Sequence, residues 1–245
     1  DFHFAGAHLG TEDREELKSL NEELSKLEAE FSRKVLADTN DSAIVVDTLE
    51  ELAGLSENEI TTAKFGAEAR GLEGKWLINA VNFSGNPLLA TLTHRPLRER
   101  IMQASLARGN RENENDTKSV LVKMTKLRAR RASLFGVLNH AQYITNENTA
   151  KSPENIHAML RKIVTSAVAN AKSEGEVLQS AINAAGNSFT LESWDWDLYT
   201  EKVRAERYNV DTAALKPYFE LEKALWDGVF FAATKLFGIT FKERP

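Results

Sequence analysis

The 245-residue sequence contains no cysteine, only five prolines and no long apolar run. The absence of cysteine excludes disulfides and thiolate metal sites within the chain. No apolar stretch approaches the roughly 20 residues that a membrane-spanning helix needs. The sequence therefore predicts a soluble protein without a membrane partner, and it does not choose between cytoplasm and periplasm.

A basic excess is also missing. The chain has 31 Lys and Arg residues against 36 Asp and Glu residues, which gives a formal net charge of -5. Because phosphate binding needs positive charge on some face of a protein, this balance argues against a nucleic-acid partner. The basic run from Lys118 to Arg131 could suit an anionic partner. It follows the acidic residues Glu112, Glu114 and Asp116, however, and a solvated helix face is the favoured interpretation.

The motifs of common catalytic centres are absent as well. No serine lies in a G-x-S-x-G motif, and no glycine-rich stretch has the spacing of a phosphate-binding loop. No two histidines lie four positions apart, so the chain has no HExxH motif and no histidine pair for one helix face. The five histidines are His3, His8, His94, His140 and His157. The sequence predicts neither a catalytic residue nor a metal ligand in this chain.

Apolar residues at helical spacing dominate what is present. The clearest stripe consists of Leu17, Leu20, Leu24, Leu27, Phe31 and Val35. It predicts a helix that begins at an N-cap, Thr11, packs one narrow face against a neighbouring helix and ends at Asn40-Asp41. Pairs with capping-box spacing, Asp47 with Glu50 and Ser56 with Glu59, predict two shorter helices.

The rest of the chain also has mainly helical patterns. The segment 75–81 (KWLINAV) is the best strand candidate. Further helices are predicted from Pro87, near Pro96 with Leu97, Ile101 and Leu106 on one face, from Asp116 to Gly136, and around His140 to Ile144. The longest helix starts at Ser152-Pro153 and reaches Gly186. Two more helices start at Asp195 and Asp211, and the second ends at Gly238.

These patterns predict a mainly α protein with a minor strand component. The whole chain, 1–245, is interpreted as one mostly helical unit. Within it, residues 1–71 form N-terminal helices, and residues 72–245 form a helical body with the short strand near 75–81. No internal repeat is present, which disfavours a solenoid.

The two ends of the sequence predict an internal piece of a longer protein. It opens at Asp1 without a signal segment, and five of its 12 phenylalanines lie in the closing stretch. These five are Phe219, Phe230, Phe231, Phe237 and Phe241. Burial of so much aromatic surface close to a natural terminus is unusual. The alternative is a C-terminal helix that docks on the core.

The tract from Glu192 to Tyr199 (ESWDWDLY) combines two tryptophans and a tyrosine with acidic residues. These aromatic side chains could line a cleft. The favoured interpretation is a packed helix start in which Asp195 is the N-cap.

Two segments of the last third, Ser193 to Asp211 and Leu215 to Glu243, resemble the thimet-oligopeptidase-like zinc metallopeptidases and, within that family, the bacterial peptidyl-dipeptidases. The similarity rests on the W-D-x-x-Y opening, the PYF tripeptide and the run GVFFAATKLFGITF. Weaker matches extend back through Arg131 to Tyr143, Asn115 to Thr117 and Ala5 to Phe31, so the resemblance covers essentially the whole chain.

The resemblance implies a neurolysin-like, two-lobed helical enzyme with a deep channel, which cleaves short peptides and releases dipeptides from their C-termini. It also implies a zinc ion bound by two histidines of HExxH and a later glutamate, all C-terminal to this sequence. This chain would then supply lobe helices and channel wall, with no catalytic or metal-binding residue of its own. Trp194, Tyr199 and Tyr218 are the candidate wall residues, and a separate C-terminal catalytic segment is a candidate partner. The alternative is a stand-alone helical interaction domain without enzymatic activity.

Overall fold

The computed structural model describes residues 2, 4–79, 87–208 and 213–244. The described chain is mainly helical, which confirms the predicted fold class. The helices are α1 (Thr11–Asp41), α2 (Glu57–Glu68), α3 (Arg95–Leu106), α4 (Lys118–Leu134), α5 (His140–Thr145), α6 (Pro153–Ala184), α7 (Trp196–Tyr208), α8 (Leu221–Lys223) and α9 (Phe231–Phe237). Short 3₁₀ turns lie at Glu50–Leu52, Pro87–Ala90 and Ala213–Phe219, and a π-helical segment, Ala224–Phe230, joins α8 to α9.

Helices α1 and α4 pack against each other along the predicted leucine stripe. Leu24 and Leu27 of α1 share a buried cluster with Val120 and Met124 of α4. Complementary charges flank this contact, because Arg130 forms an ion pair with Glu16 at 2.5 Å and Arg128 one with Glu28 at 3.1 Å. The basic run on α4 is therefore only partly a solvated face, since two of its arginines bind acidic residues of α1.

A second core surrounds a two-stranded antiparallel sheet of β1 (Ile44–Val46) and β2 (Trp76–Ile78), in which Val45 pairs with Leu77. The buried residues of this core are Ile44, Val46, Leu52, Ile78, Leu89, Leu92, Leu97 and Ile101. Each fully buried aliphatic side chain contributes about 1.5–3 kcal/mol relative to an exposed one. This apolar core holds α3 in place, and α3 carries the arginines of the site described below.

The chain forms two compact units, Asp1–Thr200 and Glu201–Pro245, and the boundary between them falls inside α7. In the second unit, Phe230 stacks on Phe241 with ring centroids 4.1 Å apart and meets Trp226 edge-on at 4.9 Å. Gly238 has a φ of +67° and ends α9, as predicted. The division of the helices at residues 71 and 72 stays a prediction.

Several predicted helix boundaries are confirmed. Ser56 and Glu59 form the predicted capping box, and the Ser152 hydroxyl accepts a hydrogen bond from the Asn155 amide at the start of α6. Helix α1 ends at Asp41, and α5 begins at His140.

Three local predictions were wrong. Thr11 is the first helical residue of α1, and Gly10 occupies the N-cap position. Asp47 forms no capping box with Glu50, because its carboxylate binds the Lys75 ammonium at 2.7 Å. Leu106 is 73% exposed, because nine positions at 100° per residue place it on the opposite side of α3 from the buried Leu97.

Two other predictions concern residues that the structure does not describe in full. The predicted strand 75–81 is observed over Trp76–Ile78, and its last two positions lie outside the described residues. The helix start predicted at Asp211 also lies outside them.

Candidate functional site

The candidate wall residues differ in exposure. Trp194 is half-buried in the loop before α7, Tyr199 on α7 is 3% exposed, and Tyr218 is 73% exposed. Trp194 and Tyr199 belong to the compact unit that ends at Thr200, and Tyr218 belongs to the following unit. Of the three side chains, Tyr218 alone is largely exposed, whereas Tyr199 has almost no contact with solvent.

The loop before α7 is joined to α3 by a buried ion cluster. Asp195 is fully buried and accepts hydrogen bonds from Arg98 Nη2 at 2.7 Å, from Arg95 Nη2 at 2.9 Å and from Arg95 Nε at 3.0 Å. The two arginines reach it together because they lie three positions apart, on one face of α3. One carboxylate thus holds two guanidinium groups about 100 positions away in the sequence.

Arg98 also donates to three backbone oxygens. Its Nε donates to the Trp194 carbonyl at 3.0 Å, and its Nη1 donates to the carbonyls of Leu92 at 3.0 Å and Thr93 at 2.9 Å. An arginine that is 1% exposed needs such partners, because an unpaired buried charge is strongly unfavourable. Arg98 therefore fixes the backbone at Trp194 as well as the side chain of Asp195.

Arg95 adds an aromatic layer to the cluster. Its guanidinium lies 4.2 Å from the ring centre of Phe189 and 5.6 Å from that of Trp194. Both distances suit cation–π attraction. Phe189 in turn meets Tyr199 edge-on at 6.3 Å, and the Asn187 side chain approaches the Tyr199 hydroxyl at 3.5 Å. The orientation of Trp194 thus depends on Arg95.

The electrostatics of this cluster favour an ionised Asp195. Burial is the largest influence and raises the pKa of its carboxyl group. Hydrogen bonds from Arg95, Arg98 and the Glu192 amide outweigh burial and leave the pKa below its ordinary value. For Arg95, the hydrogen bonds to Asp195 raise the pKa of the guanidinium. A carboxylate that stays ionised and fully bonded suits a structural ion pair, not a proton-transferring group.

Helix α7 begins at Trp196, directly after Asp195, and the Asp195 carbonyl accepts the first helical hydrogen bond from Tyr199. The packed helix start that the sequence favoured is therefore confirmed. Sequence reasoning missed Arg95 and Arg98 as partners of Asp195. The signal that could have found them is the spacing R-P-L-R at the start of α3, which places two arginines on one helix face.

The described histidines lie on separate elements of the chain. His94 occupies the N-cap position of α3, and His157 is exposed on α6. His140 lies near Tyr143 with ring centres 6.2 Å apart. Its burial, reinforced by Arg128 and Arg131, lowers the pKa of the imidazole. Within residues 2, 4–79, 87–208 and 213–244, no three His, Asp or Glu side chains converge on a possible metal position.

The comparison with protein families identifies the class. A model described as Peptidase family M3 matches residues 88–245, which is more than half of the chain. The chain belongs to this peptidase family, and the resemblance seen in its last third is confirmed. The matched range includes Arg95, Arg98 and the whole tract around Asp195.

Individual relatives give a finer comparison. The chain is 38% identical to the Dipeptidyl carboxypeptidase of Escherichia coli over 99% of its own length, and equally similar to that of Salmonella typhimurium. It is 29% identical to the Oligopeptidase A of Escherichia coli over its full length. In each case the chain spans only 36% of the relative, or about a third of its length.

No helix formed by the described residues combines the length and the apolar character that crossing a bilayer requires.

Proposed function

We propose that this chain is a non-catalytic portion of a zinc metallopeptidase that releases dipeptides from the C-termini of short peptides. The observation that carries the proposal is the 38% identity to Dipeptidyl carboxypeptidase over 99% of the chain, against 29% to Oligopeptidase A. Because both relatives are matched over the same 36% of their length, the difference in identity favours the dipeptide-releasing branch.

The zinc site belongs, in this proposal, to the part of the enzyme that has no counterpart in this chain. A bound zinc would supply an activated water to attack the peptide bond. The described residues do not fit such a metal, since they offer no converging set of ligands. No step of the reaction is therefore assigned to them.

The proposed role of this chain is to shape the channel that admits peptides. Trp194 suits a wall position because it is half-buried and its ring centre lies 5.6 Å from the Arg95 guanidinium. Tyr218 would add an exposed aromatic ring, and Tyr199 would act through Phe189.

The alternative, a stand-alone helical interaction domain, predicts a closed surface. Phe231 is 56% exposed and Phe237 is 74% exposed, whereas Phe230 is half-buried against Phe241. Exposed aromatic surface of this kind is typical of an unfilled interface. The exposed phenylalanines therefore support the hypothesis that this chain is part of a larger assembly. In that assembly, the catalytic segment is either continuous with this chain or a separate partner.

The proposal is tested with a hybrid enzyme. The 243 aligned residues of Escherichia coli Dipeptidyl carboxypeptidase are exchanged for this chain, and a matched hybrid is made with Escherichia coli Oligopeptidase A as the recipient. Mass spectrometry of the products from an N-acylated hexapeptide should show successive loss of C-terminal dipeptides by the first hybrid. A folded first hybrid that binds zinc but releases no dipeptide would contradict the proposal.

The wall assignment has its own test in the same hybrid. Substitutions Trp194→Ala and Tyr218→Ala should raise the peptide KM several-fold with a smaller effect on kcat, since a wall residue binds substrate without reacting. Leu138→Ala is the matched control, because that side chain is 88% exposed and lies far along the chain from the tract. Unchanged KM values would remove these residues from the wall.

A further inference from the structure

A long stretch of α6 is exposed, although the helix contacts α5. Every residue from 157 to 174 is exposed, which corresponds to about five helical turns. The C-terminal part of α6 is packed, because Leu178 is 4% exposed and Ile182 is fully buried. A helix of about this length is marginally stable alone in water, so a bare stretch of five turns calls for a covering surface.

The bare stretch carries a continuous apolar face. Its exposed large apolar residues are Met159 (57%), Leu160 (46%), Ile163 (56%), Val164 (50%) and Val168 (47%). At 3.6 residues per turn, Leu160 and Val164 project on the same side of the helix as the buried Leu178 and Ile182. The side of α6 that forms core near its C-terminal end is thus also apolar, and exposed, over residues 159–168, with Asn170 and Glu174 between the two apolar parts.

The width of this face indicates what covers it. Met159 and Val168 mark its two edges and lie about 180° apart around the helix axis. A two-stranded coiled coil with a second copy of this chain would need only a narrow seam of a and d positions. A half-circumference stripe is typical of a helix enclosed by several neighbouring elements of a large helical domain.

The length of the relatives indicates where these neighbouring elements come from. This chain matches only 36% of Dipeptidyl carboxypeptidase, so about two thirds of such an enzyme has no counterpart here. We propose that the α6 face formed by Met159, Leu160, Ile163, Val164 and Val168 is the surface on which that missing portion of the peptidase docks. This inference rests on the proposed function, and it names the segment through which the two portions associate.

The edges of the face add a chemical expectation. Arg161 and Lys172 are exposed on the Val168 side of the stripe. The docking portion should therefore present apolar side chains to the stripe and acidic side chains next to these two cations, since opposite charges at the rim of an interface fix its register.

The test compares two substitutions that add the same charge to the same helix. Ile163→Glu lies within the apolar face, and Thr165→Glu lies on the opposite, polar face; both residues are exposed. In the 245-residue chain alone, both variants should keep the thermal midpoint within about 2 °C of the parent, as surface changes do. In the hybrid with Dipeptidyl carboxypeptidase, Ile163→Glu should lower the midpoint by about 5–10 °C and Thr165→Glu should not, because only the first glutamate is buried without a partner.

Three results would overturn the proposal. The two variants could behave alike in the hybrid, or Ile163→Glu could destabilise the isolated chain as strongly as the hybrid. The isolated chain could also be a dimer in sedimentation that Ile163→Glu converts to a monomer, which would assign the face to a second copy. If the hybrid does not fold, the same pair is introduced at the aligned positions of the Escherichia coli enzyme, with the same outcomes. Because the readout is stability, a folded but inactive hybrid counts against the proposed function and leaves the docking result readable.

Discussion

Arg98 and Asp195 form a fully buried ion pair, with Nη2 of the guanidinium 2.7 Å from Oδ1 of the carboxylate. The pair joins the start of α3 to the residue that precedes α7, across 97 positions of sequence. Arg95 binds the same carboxylate and lies against the Trp194 ring. The aromatic tract that the sequence singled out therefore owes its position to two arginines on another helix.

Removal of the carboxylate charge should destabilise the fold. Asp195→Asn leaves the guanidinium of Arg98 buried without its counter-ion, and breaking such a buried pair costs about 3–5 kcal/mol. Chemical denaturation of the 245-residue chain measures this loss as a lower free energy of unfolding. Glu206→Gln is the control, since Glu206 is exposed near the other end of α7 and its loss should change stability by less than about 0.5 kcal/mol. Equal effects would mean that the ion cluster does not stabilise the fold.

Acid should weaken the same cluster. The pKa of Asp195 is lowered in the folded state, whereas in the unfolded chain it takes its ordinary value of about 3.9. The unfolded state then binds the proton first, so the stabilisation is complete above about pH 3.9 and is lost as the pH falls through the lower, folded value. Unfolding measured from pH 6 to pH 2 should show a smaller acid-dependent loss for Asp195→Asn than for the parent. Parallel curves would contradict this assignment.

The lowered pKa of His140 should make folding stability depend on pH in a second, higher range. Burial and the nearby arginines lower the pKa of its imidazole below the ordinary value of about 6.5. The unfolded chain therefore binds this proton more readily, and stability should fall as the pH drops below about 6.5. His140→Gln, which stays neutral, should flatten the stability curve between pH 7 and pH 5. Parallel curves for His140→Gln and the parent would contradict this assignment.

Shortening a buried side chain in the α1–α4 contact should leave a cavity and lower the free energy of unfolding. Leu24 is 3% exposed and packs with Val120 and Met124, so Leu24→Ala should reduce the free energy of unfolding by about 2–5 kcal/mol. Leu36 lies on the same helix and is 63% exposed. Leu36→Ala should therefore have little effect, and a similar loss for the two variants would contradict the observed packing.

Gly54 tests a backbone constraint. Its φ is +96°, and a Cβ atom there would lie 2.1 Å from the Thr91 carbonyl oxygen. Gly54→Ala should destabilise the chain by at least about 1–3 kcal/mol, because the strained conformation and the clash add together. Gly66→Ala should have the opposite sign, since Gly66 lies within α2 with ordinary contacts and alanine favours a helix by about 1 kcal/mol. Thermal unfolding distinguishes the two directions.

Local signals in the sequence predicted the helices well. The leucine stripe of α1, the caps at Ser56 and Ser152 and the stop at Gly238 each depend on residues within a few positions, and each is observed. Strand β1 was missed because three apolar residues, Ile44 to Val46, are too short a run to indicate a strand without knowledge of its partner β2.

The partners of the candidate site could not be predicted in this way. Arg95 and Arg98 lie about 100 positions from Asp195, and no local pattern records such a pairing. Helix α6 was likewise predicted, but not that Ile163 and its neighbours are exposed. Exposure depends on tertiary packing, which the spacing of residues in one helix does not specify.

The central claim, that catalysis belongs to a portion of the peptidase outside this chain, is tested most directly on the purified 245-residue chain. Zinc content after equilibrium dialysis and hydrolysis of an N-acylated tetrapeptide are measured on the same sample, with intact mass confirming a single polypeptide. The account predicts less than stoichiometric zinc and no release of dipeptide. One zinc per chain together with chelator-sensitive hydrolysis by that single polypeptide would contradict it.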